Sequence, residues 1–87
     1  MMIIDTVMLH RKDDPSHEFR EIILYQSDRH FAVWEVIGSL KDDLGVRRRH
    51  QVAIGWESDM RDQFNAEIGR LQAEGFTKLG NAKPEPL

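Results

Sequence analysis

The sequence predicts an α+β domain: an antiparallel sheet of about four strands, followed by one amphipathic helix packed on one face. Three observations carry that expectation. Four short stretches ahead of residue 57 are rich in β-branched and aromatic residues. Polar, Gly- or Pro-containing clusters separate them. One later stretch, residues 58–74, repeats its apolar side chains at helical spacing. Strands first and a helix second is an α+β order, and 87 residues support a single core. Residues 1–80 are expected to form the domain and 81–87, with two prolines, a loose tail.

Residues 2–10 read as the first strand, and Asp13-Asp14-Pro15-Ser16 breaks the chain after it. Phe19 to Gln26 is a second strand, with Phe19, Ile23 and Tyr25 on one face and Ile22 and Leu24 on the other. The turn Gln26-Ser27-Asp28-Arg29 leads to a third strand, His30 to Ile37. There Phe31, Val33 and Ile37 oppose Ala32, Trp34 and Val36. Both strands are apolar on two faces, which suits central strands covered on both sides, or on one side by a helix and on the other by a partner.

A polar connection, Gly38 to Gly45, precedes the cleanest alternation, Val46 to Trp56. Val52, Ile54 and Trp56 are expected to face the core, and Arg47, Arg49, Gln51 and Ala53 to face away. Both Trp34 and Trp56 read as core anchors, and Tyr25 and Phe31 as candidate exposed aromatics. In the helix, Ser58 or Asp59 is placed to cap the start, and Met60, Phe64, Ile68 and Leu71 form the buried stripe. Gly69 suggests a close approach to the sheet. Gly75 is placed to end the helix in the left-handed conformation, with Phe76 packing back on the last turn. Phe76 to Leu79 is available for a short further strand.

Charge and composition exclude several functions. The chain has no cysteine, which removes disulfides, thiolate metal sites and a Cys nucleophile. No apolar run approaches the roughly 18 residues that span a bilayer. Met1 to Asp5 has no basic region, so no signal peptide is expected and the cytoplasm is the expected compartment. His10, His17, His30 and His50 lie in different elements and do not form a metal-ligand pair. Ser16, Ser27, Ser39 and Ser58 occupy turn or cap positions, not a nucleophile elbow. No Gly-rich loop runs from a strand into a helix to cradle phosphate. The expectation is a non-catalytic protein without metal or cofactor.

Net charge is −3, unevenly placed. Residues 1–30 and 57–87 each carry four Lys/Arg against six Asp/Glu, whereas 31–56 carry four against three. Three of those four cations are Arg47-Arg48-Arg49, followed by His50 and Gln51. Alternation places Arg47 and Arg49 on one face about 7 Å apart, a spacing close to that of successive phosphates. Arg47, Arg48, Arg49, His50 and Gln51 are therefore the candidate nucleic-acid contacts. Equally, cations on an edge strand discourage edge-to-edge aggregation.

The layout from 19 to 79 resembles the WGR domain family, whose pattern is Trp-Gly-Arg-Val/Ile-Gly, then a helix and a Gly-Tyr/Phe end. This chain has Trp34, Ile37, Gly38 and Gly75-Phe76, with Glu35 where glycine and Val36 where arginine would stand. The resemblance implies a binding module that contacts nucleic acid or neighbouring domains. Two functions follow as expectations. One is a module that grips a nucleic-acid backbone through the basic strand. The other is a protein-interaction module or small regulator that docks on a larger protein, or forms a homodimer.

Overall fold

A computed structural model describes residues 2–11, 18–39 and 48–79. It contains β1 (Met2–His10), β2 (Glu18–Ser27), β3 (His30–Ser39), β4 (Arg48–Gly55), α1 (Glu57–Ala73) and β5 (Thr77–Lys78). All strand pairs are antiparallel, in the order β4-β3-β2-β1-β5. The fold is α+β as expected, with five strands rather than four because Thr77 and Lys78 pair with His10 and Leu9 at the edge of β1. Among the described residues no helix is long and apolar enough to cross a membrane. The expected connection beyond β3 and the tail at 81–87 lie outside the described residues.

The helix covers one face. Met60, Phe64, Ile68 and Leu71 pack on Leu9, Ile22, Leu24 and Val33, and Phe76 closes the cluster. The i, i+4 spacing puts these helical side chains on one stripe, and the strand residues alternate toward it. Replacing a fully buried Leu24 with alanine in such a core costs about 2–5 kcal/mol.

Two bulges decide which residues join that core. Between β3 and β4, Val33 pairs with Ala53 but Trp34 pairs with Gln51, so Val52 is an extra residue. Between β1 and β2, Ile3 pairs with Tyr25 but Asp5 pairs with Leu24, so Ile4 is the extra one. Both bulged residues pack against the helix-side core. Each insertion reverses the facing of the residues beyond it. Val52 packs on the core and Arg49 and Gln51 face away as expected, but the facing of Ala53, Ile54 and Trp56 is corrected on this ground. Ala53 turns inward, while Ile54 and Trp56 are 57% and 66% exposed.

The helix ends are also clear. Trp56 is the N-cap and makes no side-chain cap bond, so neither Ser58 nor Asp59 serves as cap; both lie in the first turn. At the other end the Phe76 amide donates to the Leu71 carbonyl at 3.0 Å and the Gly75 amide to that of Gln72 at 3.1 Å. Gly75 has φ 103°, the left-handed arrangement that such a stop requires. Gly69 is exposed, and a Cβ there would meet nothing within 4 Å, so it makes no close approach to the sheet.

A charge cluster ties this helix end to the sheet. Glu35, on the helix side of β3, is buried. Its carboxylate lies 3.3 Å from Arg20 Nε, 3.6 Å from Arg70 Nη2 and 3.4 Å from His50 Nε2. Arg70 also binds Glu67 and Glu74. Its hydrogen bond to Glu67 raises its pKa above the ordinary value; burial opposes this, and the charges of Glu67, Glu35 and Glu74 add to it. The guanidinium groups of Arg11 and Arg20 stand 4.6 and 5.0 Å from the Phe76 ring centre. Helix, β2, β3 and β4 thus meet at one carboxylate.

Three stability measurements follow from urea unfolding. Gly69→Ala is expected to stabilise by up to about 1 kcal/mol, because it adds helix propensity without a clash. Gly75→Ala is expected to destabilise by about 1 kcal/mol, since alanine resists positive φ. Glu35→Gln is expected to cost about 2 kcal/mol; it leaves Arg20 without its buried counter-charge, while the half-exposed Arg70 and His50 recover part of the loss from water.

Candidate functional site

The face opposite the helix has no covering element among the described residues. Strand register orders its side chains into rows. One row is Met8, Glu21, Val36 and Arg49; the next is Thr6, Ile23, Trp34 and Gln51; the third is Ile3, Tyr25, Ala32 and Ile54. A groove of about 310 Å³ is lined by Ile3, Ile23, Tyr25, Trp34, Val36 and Arg49. Ala32 and Val36 are buried there although no helix lies above them. Phe19, on the same face, is buried as well.

Ile3 and Ile54 occupy opposite ends of the third row and are 59% and 57% exposed. The two bulges put them there. Without the extra Ile4 and Val52, parity would send both toward the helix. Beyond this row the His30 ring stacks on Trp56, with centroids 6.2 Å apart and 26° between planes. Trp34, expected in the core, instead stands half-buried in the groove on the open face. Of the two candidate exposed aromatics, Tyr25 lines the groove, whereas Phe31 packs against the helix-side core.

The basic run does not act as one surface. Arg47 lies outside the described residues. Arg48 and His50 pair with Ile37 and Glu35 and so point to the helix side, while Arg49 and Gln51 pair with Val36 and Trp34 and point to the open face. His50 stands against Glu35. Neither Arg48 nor Arg49 makes an ion pair with another described residue. The candidate nucleic-acid contacts are therefore divided by strand alternation, with only Arg49 and Gln51 beside the aromatic groove.

The open face has little polar equipment. Glu21 accepts a 2.9 Å hydrogen bond from the Thr6 hydroxyl. It stands in the same row as Arg49, with Val36 between them. Strand spacing puts the two backbones roughly 10 Å apart across β3, and no ion pair joins the two side chains within the chain. Among the described residues no group of three His, Asp or Glu side chains is placed to hold a metal ion. Apolar and aromatic contact is what this face offers, with one charge of each sign at its border.

The face was partly legible in advance. Two-sided apolar patterning in β2 and β3 called for a cover on each side, but the contributions of Ile3 and Ile54 depend on bulges that periodicity does not register. The chain matches no protein-family model, and no curated protein or solved structure matches it.

Proposed function

We propose that this protein is a small non-catalytic interaction module that binds a protein surface through the open face of its sheet. The observation that carries this reading is the row Ile3, Tyr25, Ala32 and Ile54 beside the Trp34 groove. Exposed aliphatic side chains contiguous with an aromatic groove gain most by leaving water together. An interface with aromatic side chains at its centre and charges at its rim has the usual anatomy of a protein contact. The likeness to the WGR family supports a binding role over a catalytic one.

Contact through the face is favoured over strand addition at the edge. β4 forms one edge of the sheet, and its ladder is interrupted by the Val52 bulge. Arg48, Arg49 and His50 are all exposed along it. A bulge and two exposed arginines both discourage pairing with a further strand.

A second reading rests on Arg49. It makes no ion pair with a described residue and stands beside Trp34 and Tyr25, so a single-stranded nucleic acid would find stacking surfaces and a phosphate ligand together. Arg48 and His50 face the other way, and the net charge of −3 opposes a polyanion. The protein reading is the better supported.

The two separate in one experiment. A photo-cross-linking amino acid at Ile54 is expected to capture a protein, while the same group at Asn65, exposed on the helix, is not. Binding of the captured protein, once purified, is expected to change little between about 50 and 200 mM salt, whereas an oligonucleotide complex would weaken steeply. Ile3→Glu is expected to abolish capture. Equal capture from Ile54 and Asn65 overturns the proposal.

A further inference from the structure

We propose that the occupant of the open face is a second copy of this chain, related to the first by a two-fold axis running along β3. This rests on the reading of that face as a protein-interaction surface, and it adds the partner and the geometry.

The argument is charge complementarity fixed by register. Val36 pairs with Glu21 on one side and with Arg49 on the other, so the two charges lie in one row at equal distances from β3. Neither makes an ion pair with a described residue. A two-fold axis along β3 brings β2 of one protomer over β4 of its partner without shifting the rows. Glu21 of each copy then faces Arg49 of the other, and the pairing occurs twice.

The same operation aligns the remaining rows. Tyr25 opposes Ile54, and Ile23 opposes Gln51. Val36, Trp34 and Ala32 lie along the axis and meet their own symmetry mates. Sheets packed face to face lie about 10 Å apart, within reach of the Glu21 and Arg49 side chains. Such an isologous contact closes on itself and leaves no surface for a third copy. A two-fold axis across the strands would instead invert the order of the rows and lose both ion pairs.

Sedimentation equilibrium on the full chain tests this directly. The wild-type protein is expected to be a dimer, and Arg49→Glu and Glu21→Arg each to weaken it about 100-fold or more, because each creates like-charge contacts twice. An equimolar mixture of the two variants is expected to restore dimers, since every opposed pair is then attractive. Circular dichroism verifies that each variant is folded. Ile54→Asp, at an exposed position, is a second disrupting variant should Glu21→Arg fail to fold.

A wild-type chain that stays monomeric overturns the dimer, as does a dimer that either charge reversal leaves intact or a mixture that remains monomeric. If the chain is monomeric but the Ile54 cross-linker captures a different protein, the dimer fails and the interaction module stands. If it captures nothing, both fail. A monomer that binds a single-stranded oligonucleotide through Arg49 overturns the dimer in favour of nucleic acid.

Discussion

The one helix among the described residues sets the constraint from which the surface chemistry of this domain follows. α1 has 17 residues and is about 25 Å long, enough to cover much of one face of the sheet and none of the other. Its stripe of Met60, Phe64, Ile68 and Leu71 packs on Leu9, Ile22, Leu24 and Val33 of that face. Yet β2 and β3 carry apolar side chains on both sides, and the second set, including Ile23, Tyr25, Trp34 and Val36, meets no helix among the described residues. A sheet with one covered face usually presents polar residues on the other. This one presents a groove.

The outer strands extend that exposure rather than relieve it. Each inserts one extra apolar residue, Ile4 or Val52, into the helix-side core and so turns an isoleucine outward. The two isoleucines arrive in the same row, at either end of Tyr25 and Ala32. Bulges strengthen local twist and interrupt ladders, which protects the β4 edge while leaving the face free. Edge and face are thus treated oppositely: one is guarded by cations and a bulge, the other is open and apolar.

Electrostatics work on the opposite side of the sheet. Buried Glu35 gathers Arg20, Arg70 and His50, and two of these lie on strands while one comes from the helix. A carboxylate removed from water needs such partners, and the arrangement fastens the helix C-terminal end to the sheet. The Trp34-Glu35-Val36 stretch therefore divides its work. Glu35 serves the core side, and Trp34 and Val36 serve the open face.

The amino-acid sequence by itself determined the strand and helix order, the helix stripe, the left-handed stop at Gly75 and the two-sided character of β2 and β3. These follow from near-neighbour spacing and from glycine's conformational freedom, which are local properties. Tertiary structure alone decided the facing of Ile3, Ile54 and Trp56, the turning of Trp34 away from the helix, and the meeting of His50 with Glu35. The physical reason is parity. A strand's facing is counted from its neighbour's hydrogen bonds, and one inserted residue reverses every side chain beyond it. Strict alternation from Val46 to Trp56 concealed the insertion at Val52, because a bulge leaves the pattern of residue types unchanged and alters only which partner each one meets.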